Sequence, residues 1–291
     1  MSTIGGAEHP ATGLCLLTET LVDYITEMPE LERSVAGRMV AILDAVTDGP
    51  AGGSTCTELA GRLGRDKSVI SRQLKELVRL GVLQRNTDGR HSLGWHLFAL
   101  AQRSGNRKLL DVAIPVMRSL ATTTIERVYL TTFDGRAAIT LASEGPRQAV
   151  EAAEWAGQLS PLSCTASGRA LLFDHSPAEV RTLLGSQQTW GSLPGSPESC
   201  DELIERLAVE RMRGYSSVVA EYEPDLLAVA APVRGADGTI LAALNISAPR
   251  FRREIQIDRL GTLVIRAADR ISRDLQPFAT AEHDHEQLMV S

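Results

Sequence analysis

The stretch RDKSVISRQLKELVRLGVLQRNTDGRHSL, residues 65–93, decides the architecture of the first third of the chain. Asp66 is a residue type that suits a helix N-cap. Val69, Ile70, Leu74, Leu77 and Val78 then recur at helical spacing, and Gly81 stands where a helix end favours a residue free to take positive φ. With those apolar residues turned inward, Lys67, Ser68, Ser71, Arg72 and Lys75 fall on the opposite face, most of them in the first two turns. Two of the chain's three lysines, Lys67 and Lys75, lie on this one helix; the third is Lys108. Beyond the helix, VLQRNTDGRHSL reads as two strands joined at Asp88-Gly89, a strong hairpin signal, with Arg85, Arg90 and His91 around the tip.

Toward the N-terminus the pattern stays helical. Val35, Met39, Ile42, Leu43 and Val46 form one apolar face, followed by the loop GPAGG. Thr55 and Glu58 have capping-box spacing, Leu59 and Leu63 are the apolar positions of a short helix, and Gly64 closes it. Three helices with a tight turn before the third, followed by a basic hairpin, make a winged helix-turn-helix. In such a unit the N-terminal half of the third helix enters the major groove, where Arg or Lys pairs with guanine and Ser contacts base edges or phosphates. The competing reading of the charged face is a solvated helix surface.

Charge is divided unevenly. Residues 34–104 carry ten Lys/Arg against six Asp/Glu, a local +4, so the rest of a chain of net charge -6 carries -10. A basic module joined to an acidic body suits a partner that is a polyanion. With 291 residues, 43% hydrophobic and 23% charged, the chain is long enough for two domains, and no apolar run approaches the length of a membrane helix, so no membrane partner is expected. The N-terminus has no basic region ahead of its short apolar run, which places the protein in the cytoplasm. Cys15, Cys56, Cys164 and Cys200 are scattered, and neither a disulfide framework nor a metal site is expected, nor any cofactor.

After the hairpin, Trp95, Leu97, Phe98, Leu100 and Ala101 give a helix with an apolar face, read either as a dimer contact and linker or as packing on its own domain. A second helix, NRKLLDVAIPVMRSLATTT, contains Pro115. From residue 126 the texture alternates. Hairpins turn at Asp134-Gly135 and Asp237-Gly238, helices open at the Ser176/Glu179 and Ser199/Glu202 boxes, Gly214 closes one of them, and residues 255–276 form a last amphipathic helix. The class is α+β with an antiparallel sheet. In GQLSPLSCTASGRALLF, Ser163, Cys164, Thr165 and Ser167 gather just before a helix whose unpaired N–H groups suit a carboxylate. The bland reading is that Thr165 is only an N-cap. No G-x-S-x-G, S-x-x-K or histidine pattern accompanies the cluster, His175 falls near that helix's end, and the chain is not expected to be an enzyme.

On these residues the chain resembles the IclR family of bacterial transcriptional regulators over residues 34–276. The family's effector-domain signature is met by Gly157, Pro161, Leu162, Thr165, Ala166, Gly168, Ala170, Leu171 and Leu172, with Ser163 where His is usual and Arg169 where Lys is. Further on stand Glu221, Asp225 in place of a Gly, Ala230 through Val233, and NISAP; in the basic module the S-x-x-S-R-x-L core is Ser68, Ser71, Arg72 and Leu74. The resemblance implies a winged helix on double-stranded operator DNA and a GAF-like domain binding a small-molecule effector that shifts DNA affinity. It places the effector at Thr165, Ala166, Ser167 and Gly168 and at Asn245 and Ser247 on a facing strand, with Val218 and Ala228 lining. Apolar residues at those last two positions favour an apolar or aromatic carboxylic acid. The resemblance also implies a homodimer or homotetramer. The expected organisation is an N-terminal extension (1–33), the winged helix-turn-helix (34–93), linker helices (94–125), the effector domain (126–277) and a disordered tail (278–291). The alternative is a small-molecule sensor or enzyme whose winged helix makes protein contacts.

Overall fold

The computed structural model describes residues 34–50, 52–102, 107–135, 137–145, 157–184, 190–191, 193–250 and 257–276; the expected extension and tail lie outside the described residues. The chain divides into two compact units, 1–104 and 105–291.

The first unit runs α1 (Val35–Thr47), α2 (Cys56–Arg62), α3 (Lys67–Arg79), β1 (Leu83–Arg85), β2 (His91–Leu93) and α4 (Trp95–Gln102). Its core is Ile42, Ala45, Val46, Leu59, Ala60, Ile70, Leu74, Leu77 and Leu83, all buried. Both bonds of the Thr55/Glu58 box form, satisfying amides at the start of α2 that have no helical partner. Gly64 takes φ +59 in the turn, where the Arg65 amide bonds the Ala60 carbonyl at 3.0 Å. Asp66 occupies the N-cap of α3 without a side-chain capping bond; its carbonyl accepts from the Val69 and Ile70 amides at 3.0 and 3.1 Å instead. Val69, expected inward, is 44% exposed. It lies about 100° round the helix from Ile70, and the Ile70/Leu74/Leu77 stripe already fills the core. Strands β1 and β2 pair antiparallel, Arg85 opposite His91, and Ser54 adds a one-residue bridge to His91.

The second unit runs α5 (Arg107–Thr124), β3 (Arg127–Phe133), β4 (Ala138–Glu144), β5 (Leu159–Ser160), α6 (Ala166–Leu171), α7 (Pro177–Leu184), α8 (Cys200–Arg213), β6 (Ser216–Val219), β7 (Leu226–Arg234), β8 (Ile240–Pro249) and α9 (Ile257–Leu275). The six strands form one antiparallel sheet in the order β5-β4-β3-β8-β7-β6. Period-two alternation splits its faces. On β8, Leu244, Ile246 and Ala248 join Met117, Val128, Val229, Val264 and Ile271 in a core with α5 and α9, whereas Ala243 joins Leu162, Ala170, Leu203, Leu207 and Ala230 in a core with α6, α7 and α8. The helix α5, expected as a linker, is therefore a layer of the second unit, with Leu109, Ala113, Val116, Met117 and Leu120 buried on one stripe; it continues through Pro115. The helix expected to reach His175 stops at Leu171, and His175 packs edge-on against Phe133 at 5.8 Å.

Candidate functional site

In the first unit, α3 presents Lys67, Ser68, Arg72 and Lys75 to solvent, with Ser71 half-buried. Among the described residues, Lys67, Arg72 and Lys75 have no carboxylate within ion-pair distance, unlike Arg79, which holds Glu76 at 2.5 Å. A row of uncompensated cations on the second helix of a helix-turn-helix is the arrangement that meets phosphates and base edges. The wing divides. Arg85 is exposed, but Arg90 donates to the Gly53 carbonyl at 2.9 Å and pairs with Glu58 at 3.2 Å, which closes the wing's base onto α2. His91 is a correction to the sequence reading: at 6% exposure it is a core residue, its amide and carbonyl bonded to Ser54 at 2.8 and 2.9 Å, so its ring cannot reach DNA. Burial holds its pKa below the usual 6.5.

In the second unit the predicted effector residues converge. Thr165 caps α6, accepting from the Gly168 amide at 3.1 Å and donating to the Pro161 carbonyl at 2.6 Å, so its hydroxyl is committed. Gly168 lies so close beneath Leu162 that a Cβ would stand 2.4 Å from the Leu162 Cα. Asn245 Nδ2 donates to Ser167 Oγ at 3.0 Å, and the Ser216 hydroxyl donates to the Ala166 carbonyl at 2.6 Å; these bonds fix the first turn of α6 over β8 and β6. Among the described residues the Ala166 and Ser167 amides have no protein acceptor, as the first amides of a helix should not.

Strand register orders the rest. Tyr129, Asn245, Ala230 and Ser216 form one row across the sheet, and Arg127, Ser247, Ala228 and Val218 form the next. Three of the four predicted sheet residues therefore share a row, and Asn245 stands beside it. Sequence reading missed Arg127, Tyr129, Tyr222 and Glu223. Tyr222 and Glu223 belong to the loop between β6 and β7. Burial pushes both phenols up to about 12, with Arg127 and Glu223 acting on Tyr129, and Cys164 and Glu223 on Tyr222. Burial also raises Glu223 itself, and pushes the Cys164 thiol to about 11, which leaves it a poor nucleophile. The residue-type signal for the loop was its YE pair, but nothing in its spacing tied it to β3.

Beneath α6 sits a buried ion cluster. Arg169, 1% exposed, donates to the Ser163 carbonyl at 2.8 Å and to Glu210 at 3.3 Å, and pairs with Glu221. A cavity of about 390 Å³ between α5 and β4 lies on the other face of the sheet, where Arg118 and Glu144 satisfy each other at 3.0 Å. Among the described residues no His/Cys/Asp/Glu group could hold a metal ion, and no helix is long and apolar enough to cross a membrane.

A winged helix joined to an α+β unit with a polar site at a helix start defines a transcription regulator that couples ligand sensing to DNA. The comparisons give the family. The model described as Bacterial transcriptional regulator IclR C-terminal matches residues 102–273, and the HVO_A0114 model matches 36–95. The chain belongs to the IclR family. It is similar to the HTH-type transcriptional regulator BhcR of Paracoccus denitrificans (27% identical, covering 82% of this chain and 86% of the relative) and to the Transcriptional repressor IclR of Escherichia coli (26%, 76% and 82%). Among solved structures it resembles an IclR homologue from Microbacterium hydrocarbonoxydans complexed with 4-hydroxybenzoate (25% identical, TM-score 0.67, covering 81% of this chain and 98% of that one). It shares the fold of the Thermotoga maritima IclR (22%, TM-score 0.64, 82% and 98%). The protein is thus a ligand-responsive, DNA-binding transcriptional regulator and not an enzyme, and the alternative of a sensor or enzyme with a protein-binding winged helix falls away.

Proposed function

We propose that the protein reads an operator as a homodimer through α3 and Arg85, and that its effector is an aromatic or otherwise apolar carboxylic acid. The observation that carries the DNA reading is the unpaired Lys67/Arg72/Lys75 face. The effector's carboxylate docks at the Ala166 and Ser167 amides beside Asn245, and its apolar body lies along Ser247, Ala228 and Val218. Apolar lining at the last two positions supports that class, because an unpartnered polar ligand group there would lose its hydration. The 4-hydroxybenzoate complex of the Microbacterium relative is in keeping with it.

Gel-shift titration on the protein's own upstream intergenic DNA, against a scrambled duplex at two salt concentrations, tests the DNA half. Preference for the upstream DNA and a steep loss with salt are expected. Arg72→Ala should cost about 1–3 kcal/mol of specific binding if it reads a base, or weaken both duplexes alike if it holds a phosphate. No change in either removes Arg72 from the interface.

A further inference from the structure

We propose that Arg90 is a positioning residue of the wing: paired with Glu58 at the base of the hairpin, it fixes the direction in which the tip presents Arg85 to DNA. The inference rests on the reading above in which Arg85 meets the operator.

The two arginines of the hairpin have opposite surroundings. Arg85 is exposed and, among the described residues, has no carboxylate within ion-pair distance; Asp88, exposed in the same turn, has no cation. Arg90 turns its guanidinium inward. Its Nη1 donates to the Gly53 carbonyl at 2.9 Å and to Glu58 Oε2 at 3.2 Å, and its Nη2 donates to Glu58 Oε1 at 3.4 Å. The acceptor is itself held, because Glu58 Oε2 also accepts from the Thr55 amide at 2.8 Å in the box that starts α2. A guanidinium engaged on both sides by fixed acceptors is oriented by them, and its charge is met before any phosphate arrives.

Contacts join this anchor to Arg85. The Asn86 amide donates to the Arg90 carbonyl at 2.9 Å, the Arg90 amide donates to Asn86 Oδ1 at 2.8 Å, and the Gly89 amide donates to the Asn86 carbonyl at 3.1 Å. Residues 86–90 are thus one closed loop, with Arg85 as its neighbour in the chain. The Arg85 guanidinium lies against that loop, since a Cβ on Gly89 would stand 3.0 Å from Arg85 Nη2. Behind the hairpin, Gly53 takes φ +86, and a Cβ there would stand 2.6 Å from the His91 carbonyl oxygen, so only glycine lets this segment approach. An ion pair whose side chains are 35% and 43% exposed adds little stability by itself. Its effect here is directional. A hairpin of two three-residue strands is too short to hold its own course, so the bonds at its base decide where the tip points.

Fluorescence anisotropy of the full-length protein on its own upstream intergenic DNA, run as a double-substitution cycle, tests the positioning role. Arg85→Ala should weaken binding about 5- to 100-fold. Arg90→Ala should weaken it by a smaller factor, and the double variant should bind no more weakly than Arg85→Ala alone, because nothing is left to aim. The Arg90→Ala loss should instead multiply in full with that of Arg72→Ala, which lies on α3. Glu58→Gln keeps an acceptor for the capping box but removes the charge that Arg90 meets, and should repeat the pattern at smaller amplitude. An Arg90→Ala loss of equal size with and without Arg85 makes Arg90 an independent contact or a general structural residue and overturns the proposal, as does no loss at all. If Arg85→Ala leaves affinity unchanged, Arg85 leaves the interface and the positioning role falls with it, while the α3 reading still stands or falls on Arg72→Ala.

Discussion

Arg169 ties together the elements packed on the Asn245 face of the sheet. One guanidinium holds the Ser163 carbonyl at 2.8 Å ahead of α6, Glu210 at 3.3 Å from α8 and Glu221 before β7, so three segments share one cation. A planar fork with five donors reaches several acceptors in fixed directions, which a lysine ammonium cannot do in the same geometry. Burial raises both Glu210 and Glu221, and Arg169 pulls each back, with Arg213 at 3.5 Å from Glu210 and Arg206 at 3.5 Å from Glu221 helping from outside. Arg169→Ala would leave two buried carboxylates with only the outer Arg213 and Arg206 and should cost about 3–5 kcal/mol in urea denaturation, with Arg169→Lys losing less. A loss under about 1 kcal/mol for the alanine variant would show the cluster to be hydrated and peripheral. From the sequence, Arg169 was visible only as an arginine where the family has lysine. Its partners lie about forty and fifty residues downstream, and no local periodicity reports which distant strand a buried charge will meet.

Elements whose ends are set by neighbouring residues were legible. The Ser176/Glu179 box closes in both directions at 3.3 and 2.7 Å, and Ser199 caps Glu202 at 3.2 Å while Glu202 returns to the Glu198 amide, one residue earlier than the box requires. The hairpin tips at Asp88-Gly89, Asp134-Gly135 and Asp237-Gly238 lie where their turn chemistry put them. The wing's interior was less legible, because the Ser54 bridge that buries His91 joins segments separated by a helix-turn-helix. That burial has a pH consequence. The folded unit holds His91 below 6.5, the unfolded chain does not, and between the two values the unfolded state binds the extra proton. The neutral ring's contribution is therefore complete above pH 6.5 and is lost as the pH falls through that value toward the folded pKa. Melting temperature should drop across this range, and His91→Phe should flatten the dependence. An unchanged slope in that variant would assign the acid sensitivity to another group.

At the scale of the whole molecule the exposed apolar residues of α4 bear on assembly. Trp95 is 74% and Phe98 56% exposed, their rings edge to face at 5.9 Å, so the reading in which they pack on their own domain fails for this chain. Two large aromatics left in water at i and i+3 on one helix suit a second copy of the same helix, and a twofold pair of winged helices reads two half-sites. Trp95→Ala with Phe98→Ala should shift the protein toward monomer in light scattering and weaken operator binding more than either half-site alone explains. Linkage then sets a stricter condition. If 4-hydroxybenzoate changes operator affinity by some factor, typically about 5–150-fold for coupled sites, operator DNA must change 4-hydroxybenzoate affinity by the same factor. Titrating each ligand in the presence and absence of the other measures both numbers. Equality in the parent, together with a factor near one in the double variant, would place the coupling in the paired state; a factor that survives in the monomer would place it within the single chain.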